Sequence, residues 1–494
     1  MKVAVDKELG RRILRLASPV MLAMLTQTAL NLVDTIMVGW LPANYSIAGQ
    51  SAIAYSLILL WAVGGFLSSI QVGTQAITAR RFGEGRRELA GRALTNSLVL
   101  SFTSGTALSI VFYLLMYKIF PFFSSNPSVV QLGTEYAEYR MLGVLSMVAT
   151  VSYKSFYDGI GATHVHMVAA IVMNVANLIL NYVLIFGIGP FPQMNVAGAG
   201  LGSLISTYIG LAVMIGWSFI PRTVRSYRYY RRANLNLSVT WEIIRLSVPS
   251  GLATVFVMSG FGIFLKIVGM LDSRASLDAL AGVPSYTEGA VAALQSVTMI
   301  PAVSDPYLHV ALNRPPVFTA ATKVIMDILS ISFMTMIAFG TATATLVGQS
   351  LGERKPDLAE RFGWESAKIG SYLMCVTGAF AILIPDVLIG LFNPDPQVID
   401  AGRNALRLMG IGEVFVAIGM VFAQALFGAG NSKFVMWAEM VLHFVCLIPL
   451  SYLFGIVLDW GLVGVWGAAL LYIVLLAIVM AWKFSRGEWK HIHL

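Results

Sequence analysis

Long apolar runs separated by short polar connections dominate this chain. A helix that crosses a bilayer needs about 20 mostly apolar residues. Twelve stretches satisfy that requirement, at 17–38, 51–76, 93–117, 136–157, 165–187, 198–220, 247–270, 323–347, 366–390, 404–427, 434–456 and 462–482. The pattern predicts an all-α polytopic membrane protein with twelve transmembrane helices. The first run follows a basic segment, as the core of a signal peptide would. It is too long for that, contains Asp34 and lacks a small-residue cleavage site, so it reads as helix one.

The chain repeats itself. Leu16-Ala17-Ser18-Pro19 opens helix one as Leu246-Ser247-Val248-Pro249 opens helix seven, and Gly39 and Gly269 each follow their proline by 20 residues. Further along, Gly83-Glu84 matches Gly352-Glu353, Pro127 matches Pro396, and Gly159-Ile160-Gly161 matches Gly428-Ala429-Gly430. The offset is 230 residues in the first group and 269 in the second, which puts a 39-residue insertion after Gly269. Two six-helix lobes related by an internal repeat follow, spanning 1–221 and 246–494. A cytoplasmic inter-lobe linker occupies 222–245, and the insertion falls in an outer loop at about 271–321. Parallel repeats of this size point to a transporter with its path between the halves.

Composition agrees with a lipid environment. Apolar residues make up 57% of the chain and charged ones 12%, about half the charged fraction of a soluble domain. The net charge of +8 has a membrane explanation: one set of connections carries 24 Lys and Arg, the opposite set only Lys118, Arg274, Arg314 and Arg403. Positive charge gathers on the cytoplasmic side, so both termini are expected there, in a multi-pass protein of the cell membrane. The arginines between Arg222 and Arg232 suit anionic lipid headgroups, and no nucleic-acid partner is expected. Cys375 and Cys446 fall in apolar stretches and suggest no disulfide framework.

Polar residues inside such helices mark function. Gln27, Asn31 and Asp34 share one face of helix one, and Asn174, Asn177 and Asn181 share one face of helix five. A carboxylate facing amide oxygens can hold a proton or a sodium ion, so Asp34, Asn31, Asn177 and Asn181 are the candidate ion-coupling residues, with sodium possible at Asp34. Gln27, Asn174, Asp327, Glu413 and Lys266 are candidates for substrate binding. Lys266 and Asp327, each about four residues inside the outer end of its helix, are expected to form an ion pair. Glu439 and His443 read as a structural i, i+4 pair, and Lys154 and Asp158 as interfacial. Gly198 to Gly202 reads as a close-packing seam. There is no GxxxxGK[ST] phosphate loop, HExxH zinc motif or GxSxG elbow. No cofactor is expected, and the energy source would be an ion gradient.

Pro19, Gln27 and the run Asn31 to Gly39 closely resemble helix one of the multidrug and toxic-compound extrusion (MATE) family. Gly83-Glu84-Gly85 and Leu426-Phe427-Gly428-Ala429-Gly430 are similar to the same family. The resemblance covers nearly the whole chain. It implies a secondary antiporter that exports organic cations in exchange for protons or sodium, with two lobes that rock between inward and outward openings. It places Asp34 on the family's coupling aspartate and Asn177 on its helix-five asparagine. Asn181 stands where one branch carries a second aspartate. Helix seven, which carries a glutamate in another branch, holds Lys266 instead. The expected activity is export of small cationic molecules by a monomer. The alternatives are a flippase for a lipid-linked precursor and a polytopic membrane enzyme with its site in the 271–321 insertion.

Overall fold

The computed structural model describes residues 5–122, 127–281 and 316–492; side chains at 28–36, 39, 122, 276–281 and part of 43–62 lie outside the description. The described residues form helices and turns and contain no strand. The first half runs α1 (Lys7–Gly39), α2 (Ala43–Ser68), α3 (Ile70–Gly83), α4 (Arg87–Ile119), α5 (Pro127–Leu142), α6 (Val144–Gly159), α7 (His164–Phe186) and α8 (Asn195–Ser218). A short α9 (Pro221–Tyr227) leads to α10 (Leu237–Ala281), α11 (Val317–Gly352), α12 (Pro356–Leu383), α13 (Pro385–Phe392) and α14 (Pro396–Gly428). Then come α15 (Ser432–Val441), a π-helical turn (Leu442–Leu447), α16 (Ile448–Tyr452), a second π turn (Leu453–Val457) and α17 (Gly461–Ser485).

Nine helices among the described residues are long and apolar enough to cross a membrane. The stretches expected at 51–76 and 136–157 are each broken, at Ser69 and at Gly143. At both breaks a backbone N–H reaches the carbonyl three residues back, Ser69 to Phe66 and Gly143 to Arg140, a tightening of the coil that redirects the rod. With α1, the rods α2–α3 and α5–α6 bring the architecture into agreement with twelve spans. The chain is a multi-pass membrane protein.

Both halves follow one packing plan. In the first, α1 packs on α7, α4 and α3 on α6, and α5 and α6 on α8; in the second, α10 packs on α15, α12 and α11 on α14, and α14 on α17. Between halves the contacts cross over, α1 against α11 and α10 against α3. Each half buries apolar cores built mainly from its own helices, and the start of α10 joins the first half's through Ile243 and Leu246. A separate cluster joins Leu9, Ile13 and Ala17 to Met336, Phe339 and Phe362.

Two further expectations need correction. Helix seven does not end at residue 270: α10 continues to Ala281, because nothing from 271 to 281 breaks a helix. The rest of the expected insertion, up to 315, lies outside the described residues. Its two described ends are tied together, since the Asp272 carboxylate accepts the backbone N–H groups of Phe318 and Thr319 and the Thr319 hydroxyl. Lys154 and Asp158 are not interfacial. They form a buried ion pair at 2.9 Å, because the opposite half covers this helix end: Thr345 donates to the Asp158 carbonyl and Gln349 to that of Gly159.

Candidate functional site

Helix α7 carries the asparagines, and its apolar residues explain their direction. Val172, Val175, Leu178 and Ile179 are exposed, as a lipid-facing surface would be, whereas Asn174, Asn177 and Asn181 are buried. The stripe faces inward against α8 and lies on the helix packed along α1. Asn177 donates through Nδ2 to Ser203 Oγ at 3.1 Å and Ser206 Oγ at 3.2 Å. Asn181 donates to Asn177 Oδ1 at 3.1 Å. The two serines recur at i, i+3 in α8, a signal the sequence reading passed over.

Asn174 differs from both. It is 7% exposed, yet neither its Oδ1 nor its Nδ2 has a hydrogen-bond partner. A buried amide left unsatisfied costs about 1–3 kcal/mol, so it asks for an explanation that packing does not supply. An amide offers both an acceptor and a donor pair, which fits a small polar or charged guest. Asn31 and Asp34 lie on α1, but their side chains are outside the described residues. Gln27 on the same helix is half-buried.

The remaining candidates are scattered over the second half. Glu413 on α14 is buried, with the Ser332 hydroxyl at its carboxyl group and Oε2 without a partner. The expected pair between Lys266 and Asp327 does not form. Asp327 is bonded at 2.6 Å to Lys323, one helical turn back, and Lys266 is exposed on α10. A partner at i, i+4 on the same helix is already within reach, so no second helix is required. Among the described residues no group of three or more His, Cys, Asp or Glu could hold a metal ion.

The MatE family model matches residues 19–183 and 308–453, the two halves of the repeat. The chain belongs to the MATE family of transporters. Curated relatives of this MATE protein span nearly its whole length. A probable multidrug resistance protein NorM of Thermotoga maritima is 23% identical, over 98% of this chain and 94% of the relative. The multidrug resistance protein MdtK of Pectobacterium atrosepticum is 22% identical, over 95% and 94%. A multidrug resistance MATE family transporter of the MOP superfamily, solved in an outward-facing conformation, superposes with a TM-score of 0.79. The alignment has 20% identity and covers 99% of this chain and 100% of the other. A MOP superfamily transporter from Pyrococcus furiosus aligns equally well, at 21% identity, over 99% and 100%.

Proposed function

We propose that this MATE protein is an ion-coupled antiporter that exports organic, cationic small molecules across the cell membrane by alternating access. Proton or sodium is the coupling ion, Asp34 is its carrier, and Asn31, Asn177 and Asn181 line the site. The observation that supports this most is Asn174. Its amide is buried and unsatisfied, in line with the bonded Asn177 and Asn181, on the helix that packs along α1. That is the environment in which a carboxylate exchanging one bound cation for another would be useful. The names of the NorM and MdtK relatives support drug-like compounds as cargo.

The basic connections support cytoplasmic termini. With that orientation, the contacts of α3 with α11 and of α1 with α12 close the cytoplasmic end, and transport requires that seal to part. Membrane lipids are then the partners of the exposed Arg222, Arg225, Arg231 and Arg232.

The test is export from proteoliposomes with a pH gradient or a sodium gradient imposed separately. One gradient is expected to drive export, and Asp34→Asn to abolish it while the protein still inserts. Coupled export by Asp34→Asn at the wild-type rate would remove Asp34 from the mechanism. Orientation is read independently: a cysteine at Gly189 reacts with an impermeant thiol reagent from outside, and one at Arg228 does not.

A further inference from the structure

The second half contains a polar cluster that the transport reading leaves unused. His443 is fully buried and sits in the π-helical turn Leu442–Leu447. The wide turn has a local cause. Pro449 cannot donate to the carbonyl four residues back, and its ring crowds that carbonyl, so the coil opens just before it. Such turns recur at functional sites.

The hydrogen-bond inventory fixes the tautomer. His443 Nδ1 lies 2.9 Å from the Glu439 carbonyl oxygen, which can only accept, so Nδ1 carries the proton. Nε2 then presents a bare lone pair and meets no partner. Beside it, the Glu439 carboxylate lies 3.5 Å from Nδ1 and accepts the Tyr472 hydroxyl at 2.8 Å. The Tyr472 ring meets the imidazole edge-on, with centroids 4.5 Å apart and planes inclined by 62°. Tyr472 from α17 is the titratable group facing the pair, and Cys446 from the same turn lies near Tyr472. From helix α10, Gly260 and Phe261 meet the imidazole. A Cβ at Gly260 would stand 2.7 Å from His443 Cδ2, so the ring faces the α10 backbone directly.

The repeat gives this cluster a counterpart. His443 follows Asn174 by 269 residues, the offset that relates Gly159 to Gly428. Both are buried, both leave a side-chain nitrogen without a partner, and both sit on the helix packed against the opening helix of their half. Gly198 abuts the Leu184 backbone as Gly464 abuts that of Phe454. That registration brings Tyr472 to the place of Ser206, the hydroxyl that serves Asn177.

We propose that Glu439, His443 and Tyr472 form a second proton-binding site, in the C-terminal half, at the repeat position of the asparagine stripe. The proton-free site carries one negative charge, on Glu439. One proton, taken by Nε2 or by the carboxylate, brings the site to neutrality and breaks no bond. A single carboxylate with a phenol and an imidazole offers too few oxygens for a hard metal cation, which selects the proton. The inference does not rest on the transport reading, because an equilibrium titration detects it.

The test is nuclear magnetic resonance of histidine-labelled, full-length protein in detergent, with the proton as the probe. The His443 signal is assigned by its loss in His443→Gln, or, should that variant not fold, by replacing the other histidines. The signal is expected to titrate, and its midpoint to move by about one pH unit or more, a tenfold change in proton affinity, in Glu439→Gln. Tyr472→Phe keeps the ring and is expected to move it less. A signal invariant with pH, or a midpoint untouched by both substitutions, would overturn the proposal and leave the cluster a packing device.

Discussion

A Cβ on Gly83 would stand 2.0 Å from the carbonyl oxygen of Gln349, so these two residues hold the halves at backbone contact. The relationship is reciprocal. Gly352 meets the Arg80 carbonyl with a corresponding gap of 2.1 Å, and each member of the second pair is the repeat partner of one in the first, 269 residues away. The ends of α3 and α11 therefore form a pseudo-two-fold seal, supported by Gln75 Nε2 donating to the Thr341 carbonyl and to Thr345 Oγ1, each at 2.9 Å. Replacing Gly83 or Gly352 by alanine is expected to weaken the sealed state by about 1–3 kcal/mol, the cost of overpacking. Spin-label distances across the seal should lengthen in both variants. The double variant should fall short of additivity, because both changes open one surface.

The asparagine stripe separates stability from activity. Asn174→Leu removes two unsatisfied buried polar atoms, so the melting temperature should rise or hold while export falls. Asn177→Ala strips partners from Ser203, Ser206 and Asn181, so it should lower the melting temperature, by about 1–3 kcal/mol of stability. A thermal melt and a transport assay on the same preparations check both signs. Loss of stability in Asn174→Leu would show that the amide has a structural task.

A double-mutant cycle distinguishes the partners of Asp327. Lys323 and Asp327 are both well exposed, and an i, i+4 pair of that kind couples by about 0.3–0.5 kcal/mol. Lys266 and Asp327 should show no coupling beyond error. Chemical or thermal denaturation of the single and double variants measures both.

At the start of α1, Asp6 caps the helix through the N–H groups of Glu8 and Leu9. It also reaches across to Arg361 on α12 at 2.7 Å. The Leu9 N–H is the main cause that holds its carboxyl below the ordinary value of 3.8. Burial opposes the shift, and the Glu8 N–H and Arg361 reinforce it. A carboxyl lowered in the folded state adds stability that is complete above its ordinary value. That stability is lost as pH falls through the lowered one. The clasp should therefore be indifferent to pH across the physiological range. Hydrogen exchange of residues 5–12 should be the same in mildly acidic and neutral buffer after correction for intrinsic rates, and faster in Asp6→Asn at both.

The helices were readable because bilayer thickness imposes a length and an apolarity that few other segments satisfy. Glycine and proline repeats exposed the two halves for a similar reason, since helix ends and crossings tolerate few alternatives. The breaks at Ser69 and Gly143 were not readable: neither site holds a proline, and a one-residue tightening leaves no mark on hydropathy. Lys323 lies four residues before Asp327, a same-helix spacing that the sequence carries openly but that competes with cross-helix partners of equal charge. Trp489 gave no signal near the chain end, yet it is fully buried, stacked on Phe484 with its indole N–H on the Phe484 carbonyl. Burial at Lys154 and Asp158 depends on the other half, which local sequence cannot reveal.

The Asp272 carboxylate fastens the first turn of α11 to α10, so residues 272 and 318 are one point in space reached twice by the chain. Whatever length of polypeptide runs between them, its closure adds only a slowly growing entropy, and the alignment of the two helices is set at the knot. This makes the interval a natural splice site. A reporter domain could be threaded in, or the stretch exchanged for a short turn, while the helices on either side keep their register.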